Sequence, residues 1–188
     1  MIRLVVGLGN PGQEYKQTRH NAGFVFLDLL AGSDGWVFDS RLNGRLKKHL
    51  LPAGELILLK PDTFMNKSGV SVAAAQRFYK ISPENVLVIH DEIELAEGVV
   101  KLKKGGGHGG HNGLRDIIAK TGSPDFFRLR IGVGRPGERM AVSDYVLSKM
   151  ADKEFCSLTS LCGGVIDKLD VALSGDLDGF NSNFSVTA

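Results

Sequence analysis

The chain has 188 residues, 43% of them hydrophobic, with a net charge of +2 and a mean hydropathy of −0.02. That size and balance fit one soluble globular domain with a real core. They exclude a membrane-spanning chain, since no apolar run approaches the length of a span. No leader pattern opens the sequence. Cys156 and Cys162 form neither a C-x-x-C pair nor a disulfide framework, so a reducing, cytoplasmic setting is expected.

Taken in chain order, residues 2–6 read as a buried strand. Gly7-Leu8-Gly9-Asn10-Pro11-Gly12 follows, which by spacing is the G-x-G-x-x-G of dinucleotide-binding folds. The context contradicts that reading. Pro11 has no N–H to offer a pyrophosphate. Residues 15–21 are polar and carry no helical stripe, so no helix begins at the turn. Asp28 and Asp39 are poorly placed to bind a ribose. A tight turn explains the glycines but not why Asn10, Tyr15, Arg19, His20 and Asn21 crowd it.

A helix is predicted over 22–31, where Phe24, Leu27, Leu30 and Ala31 recur at helical spacing. Weaker strand signals lie at 36–38 and 46–51, and a firm one at 55–60. Val70, Ala73, Ala74 and Phe78 stripe a helix over 68–79. Strands are predicted at 85–90, 99–103 and 127–133, with a weaker one at 142–147. Further helices are predicted at 113–120 and 151–173, and residues 175–188 read as a loosely held tail. The alternation predicts an α/β fold: a single domain with a twisted, mixed, largely parallel sheet flanked by helices.

Four polar clusters each follow a strand: residues 10–21, 64–69, 90–92 and 105–113. In a largely parallel sheet such loops meet at one end. Together they hold a histidine, His20, an acid after a buried strand, Asp91, and three asparagines, Asn10, Asn66 and Asn112. A neutral histidine takes a proton from water near neutral pH. A carboxylate on its other nitrogen fixes the tautomer, and amides hold an oxyanion or a water. No G-x-S-x-G elbow is present, so direct hydrolysis by water fits better than a covalent intermediate. Each residue also has a plainer reading, such as Asn66 capping the following helix. His108-Gly109-Gly110-His111 lacks the helical spacing of a zinc motif, and no metal or cofactor is expected.

Charge is uneven. From residue 95 to 140 nine basic residues (Lys101, Lys103, Lys104, Arg115, Lys120, Arg128, Arg130, Arg135 and Arg139) face four acidic ones, and the last 38 residues are acidic. A basic middle can meet phosphates or can be an ordinary solvated face.

The motifs match a known family. Tyr15-x-x-Thr18-Arg19-His20-Asn21-x-Gly23 with Phe26-Leu27-Asp28 resembles the first signature of the bacterial peptidyl-tRNA hydrolases. Residues 105–113 with Leu114-Arg115-Asp116-Ile117 resemble the second. Lys60-Pro61, Phe64-Met65-Asn66, Ser68-Gly69 and His90-Asp91-Glu92 match between them in order and spacing. The resemblance runs to about residue 150 and is loose over 179–184. It implies hydrolysis of the ester joining a peptide to tRNA, and recycling of prematurely released peptidyl-tRNA. It implies His20 as general base, Asp91 as its support and Asn10 as reader of the blocked amino group. Asn66 and Asn112 would hold substrate and water, and Tyr15 and Phe64 would line the site. Lys103 and Arg130 would meet tRNA phosphates, with His111 a secondary contact. A monomer acting on peptidyl-tRNA, without a membrane, is the expectation.

Overall fold

The computed structural model describes residues 1–52 and 54–184. In chain order, β1 is Leu4–Gly7, α1 Ala22–Ala31, β2 Val37–Asp39, β3 Gly44–Leu51 and β4 Gly54–Pro61. They are followed by α2 Ser68–Tyr79, β5 Val86–Glu92, β6 Val100–Lys104, α3 Asn112–Thr121 and β7 Phe127–Gly132. The chain ends in α4 Val142–Leu147, α5 Asp152–Ile166, α6 Leu169–Ser174 and α7 Leu177–Asn183.

The strands form one seven-stranded sheet in the order β2-β3-β4-β1-β5-β7-β6. The central four, β4-β1-β5-β7, are parallel, and the outer pairings are antiparallel. The mixed sheet with a parallel centre is the one expected. β1 and the first six residues of β5 are buried throughout, as strands covered on both faces must be. One core joins α1 and α5–α7 to the sheet around Phe26, Leu87, Ile89 and Phe180. The other joins α2 and α3 around Leu4, Val6, Val88 and Leu114.

Three sequence expectations are corrected. Residues 142–147 form α4 rather than a strand, because only Val146 is buried and no alternating face exists to pack on a sheet. The helix expected over 151–173 breaks after Ile166. Gly163 and Gly164 weaken the end of α5, and the chain turns so that Leu169 and Leu173 reach the core.

The expected loose tail is largely a docked helix. Asp176 caps α7 by accepting the Gly179 N–H at 2.9 Å, and Phe180 is wholly buried. The Asn181 amide accepts the Leu102 N–H and donates to the Leu102 carbonyl, both at 2.9 Å. It thereby satisfies the open edge of β6. Residues 185–188 of that expectation lie outside the described residues.

Candidate active site

The site forms where β1 and β5 end, and two glycines let a helix sit there. A Cβ on Gly23 would lie 2.3 Å from both the Ile89 carbonyl oxygen and the Leu8 nitrogen. One on Gly7 would lie 2.4 Å from the Gly23 carbonyl oxygen. The first turn of α1 therefore rests directly on backbone, fixed by Leu8 N–H to Ile89 O (3.0 Å) and Phe24 N–H to Leu8 O (3.2 Å). The 3-10 turn Arg19–Asn21 just before it brings His20 to the end of β5.

There His20 and Asp91 meet, 71 positions apart in sequence. His20 Nδ1 lies 2.9 Å from Asp91 Oδ1 and 3.1 Å from Oδ2. His20 is 8% exposed and Asp91 3%. A carboxylate only accepts, so Nδ1 carries the proton and Nε2 holds a lone pair. No protein group among the described residues bonds that Nε2. Burial by itself lowers the basicity of His20, but the charge and hydrogen bond of Asp91 outweigh it, leaving the pKa above 6.5. Burial likewise disfavours the Asp91 carboxylate. The two neighbouring histidines, His20 first and then His111, hold it well below the usual range.

His111, expected as a secondary contact, also joins this network. Its Nε2 lies 3.1 Å from Asp91 Oδ1. Its Nδ1 accepts the Gly113 and Leu114 N–H groups and so caps α3. Capping through Nδ1 puts the ring proton on Nε2, so Asp91 accepts from both histidines. His90 is closed off: its Nδ1 donates to the Asp91 carbonyl at 2.7 Å, and its buried Nε2 has no partner among the described residues. Burial, then the proximity of His111, push its pKa down to about 3, so it stays neutral.

Asn10 is held on three sides. Its Oδ1 accepts the Met65 N–H at 2.7 Å. Asn21 Oδ1 accepts the Asn10 N–H and Asn21 Nδ2 donates to the Asn10 carbonyl, both at 2.9 Å. The Asn10 amide NH2 is left over, with no acceptor among the described residues. Tyr15 and Phe64 meet edge to face at 6.4 Å, with Phe64 59% exposed. Asn66 and Asn112 are exposed. Asn66 makes no cap on α2, and Asn112 accepts from Arg115.

The basic residues divide. Lys101 and Lys103 stand exposed on β6, opposite Arg130 and Arg128 of β7. Arg130 donates to Glu92 at 2.9 Å and stays partly open. Arg128, counted above with the phosphate-facing cations, is 3% exposed and holds the carbonyls of Gly106 and Gly107. It braces the glycine loop instead.

Comparison with known proteins gives the chain its family. The family model for peptidyl-tRNA hydrolase matches residues 4–187. The chain belongs to the peptidyl-tRNA hydrolase family. Its match extends past residue 150, where the sequence resemblance stopped. The peptidyl-tRNA hydrolase of Methylococcus capsulatus is 53% identical over 183 residues, covering 95% of this chain and 94% of that protein. That of Nitrosomonas europaea is 57% identical over 148 residues, covering 78% and 76%. The crystal structure of peptidyl-tRNA hydrolase from Acinetobacter baumannii superposes with a TM-score of 0.90 at 42% identity, covering 98% and 95%.

Two residues of this family member escaped the sequence reading of the site. Asn21 locks the backbone of Asn10, and Met65 supplies the N–H that orients its amide. Both stand inside the polar clusters, but their roles depend on which clusters touch.

Proposed function

We propose that this chain hydrolyses the ester between peptide and tRNA in peptidyl-tRNA, releasing both, with His20 as general base. The single observation that supports this most is the buried His20–Asp91 pair with His20 Nε2 left unpaired. Water gives a proton to Nε2 and attacks the ester carbonyl. Asp91 stabilises the imidazolium. The tetrahedral intermediate collapses, and the proton returns to the departing ribose oxygen. Asn66 and Asn112 hold substrate and oxyanion from the rim. Tyr15 and Phe64 flank the peptide and the tRNA end. Lys103 and Arg130 meet phosphates, Arg130 by partial release from Glu92. The protein acts in the cytoplasm as a monomer, which sedimentation would check.

The test is release of free tRNA from N-acetyl-aminoacyl-tRNA by purified protein. Turnover far above buffer hydrolysis is expected. Salt-sensitive tRNA binding without turnover would instead indicate a non-catalytic RNA-binding module.

The raised pKa of His20 sets the pH dependence. The base must be neutral, so kcat/KM should fall about tenfold per pH unit below a midpoint lying above 6.5. In Asp91→Asn the burial remains and the charge is gone, so the residual midpoint should move below 6.5. An acid limb centred below 6.5 in the wild type would contradict the dyad.

Asn10 is assigned the blocked amino group because its NH2 is free to meet a peptide carbonyl. Asn10→Ala should narrow the rate ratio between N-acetylated and free aminoacyl-tRNA by about tenfold. An unchanged ratio would remove that role.

His20, Asp91 and His111 each offer a ligand-type atom within 4.8 Å of the others, which is close enough to suggest metal ligands. Hydrogen bonds already satisfy the three, since each histidine donates to Asp91 and His111 caps α3 through its other nitrogen. Chelation should therefore leave turnover unchanged. Loss on chelation and recovery with Zn2+ would overturn the metal-free reading.

A further inference from the structure

Arg19 immediately precedes His20, yet its side chain points away from the dyad and is only 8% exposed. Its guanidinium serves three partners on one later stretch of chain. Nη1 donates to Ser148 Oγ at 2.8 Å, and Nη2 donates to Glu154 Oε1 at 2.7 Å. The plane lies over the Tyr145 ring, with Cζ 4.1 Å from its centroid. Each partner is itself anchored. The Tyr145 hydroxyl donates to the Val133 carbonyl at 2.6 Å, and Glu154 Oε2 accepts the Ala151 N–H at 2.7 Å. The backbone follows suit: Thr18 and Lys149 form an isolated antiparallel bridge, and Met150 N–H donates to the Gln17 carbonyl at 2.9 Å.

The stretch so held carries the loop at residues 134–141. Between that loop and Arg19 lies an open cavity of about 650 Å3, lined also by Arg135, Arg139 and Lys149. Among the described residues no other cation shares Arg19's partners, and a lysine's single ammonium cannot match its planar fork.

We propose that Arg19 is a positioning residue: its guanidinium fastens α4 and the segment that leads from it into α5 to the turn that carries His20, so one side chain seats both. This rests on His20 being the base. His20 has no backbone freedom independent of Arg19, because both lie in one 3-10 turn. Loosening the Arg19 end of that turn displaces the ring on Asp91, and small misplacements of a catalytic group are costly in rate.

The experiment replaces the fastening with a covalent one. Arg19→Met is made alone and together with Thr18→Cys and Lys149→Cys, all in a Cys156→Ser background. Paired residues of an antiparallel bridge lie within disulfide reach. Arg19→Met should lower kcat about tenfold to a hundredfold. KM for N-acetyl-aminoacyl-tRNA should stay within about twofold, and amide exchange over 142–150 should speed up. Oxidising the triple variant should restore kcat to near that of the matched protein with Arg19 intact, and reduction should remove the gain.

Unchanged kcat in Arg19→Met would overturn the proposal, and so would a loss that the disulfide fails to repair. If Arg19→Met does not fold, Arg19→Lys is read by the same criteria. His20→Ala run alongside separates the two claims. Full activity there refutes the base, whereas an inactive His20→Ala with no disulfide rescue refutes only the clamp.

Discussion

His20→Ala is expected to lower kcat on N-acetyl-aminoacyl-tRNA by about 10²- to 10⁴-fold, the range a positioned general base contributes. Binding of deacylated tRNA should change little, because the exposed cations stand on β6, with β7 between it and the strand that carries Asp91. Asp91→Asn should cost nearly as much. An asparagine presents an NH2 where the carboxylate accepts two ring protons, so His20 loses the partner that holds its tautomer. The double variant should be little worse than His20→Ala, since the two act as one unit. Additive losses would mean that Asp91 works independently of His20. Full activity in His20→Ala would end the proposed mechanism. Melting temperatures within a few degrees of wild type would show that the losses are not unfolding.

Gly23→Ala is expected to damage the fold itself. The added Cβ would meet the Ile89 carbonyl oxygen and the Leu8 nitrogen at 2.3 Å, and both are backbone atoms that cannot rotate away. Either α1 lifts off the strand ends or β1 and β5 spread. Overpacking of this kind costs about 3 kcal/mol or more. For a chain of this size that is a fall in Tm of roughly 6–12 °C. Activity should fall further than stability, because lifting α1 carries His20 away from Asp91. Gly163→Ala is the control. It lies inside α5 with nothing within 4 Å of the added Cβ, so it should stabilise by about 0.5–1 kcal/mol. Equal Tm in Gly23→Ala and wild type would show that the close seat of α1 is dispensable.

The close contact of Gly7 with Gly23 accounts for the first glycine of the opening motif. Its spacing mimics a pyrophosphate-binding turn, but Gly7 is there because a helix rests on it. Asn10, within the turn, is directed by Asn21 and Met65.

Much of the fold was readable from local pattern. The unbroken apolar runs at 86–89 and 4–6 specified strands covered on both faces, and the stripes at 22–31 and 68–79 specified two helices over their full lengths. Errors arose where the local pattern was thin. Residues 142–147 are apolar enough for a strand, but they pack through Tyr145 on Arg19, over 120 positions earlier in the chain. The polar composition of 177–183 suggested a loose tail, whereas Phe180 and Asn181 dock it on β6. Neither partner is visible from neighbouring residues.

The sequence by itself determined which chemical groups exist and which loops carry them: one histidine in a polar turn, one acid closing a buried strand, and asparagines in three loops. Its motifs also determined the family. Only the tertiary structure decided which of these groups touch. It made Asp91 the shared acceptor of His20 and His111, closed off His90, turned Arg128 inward as a brace and tied Arg130 to Glu92. The physical reason is range. Helix and strand preferences arise from neighbours a few residues apart, whereas protonation, tautomer and burial depend on groups that strand order and register bring together from distant positions.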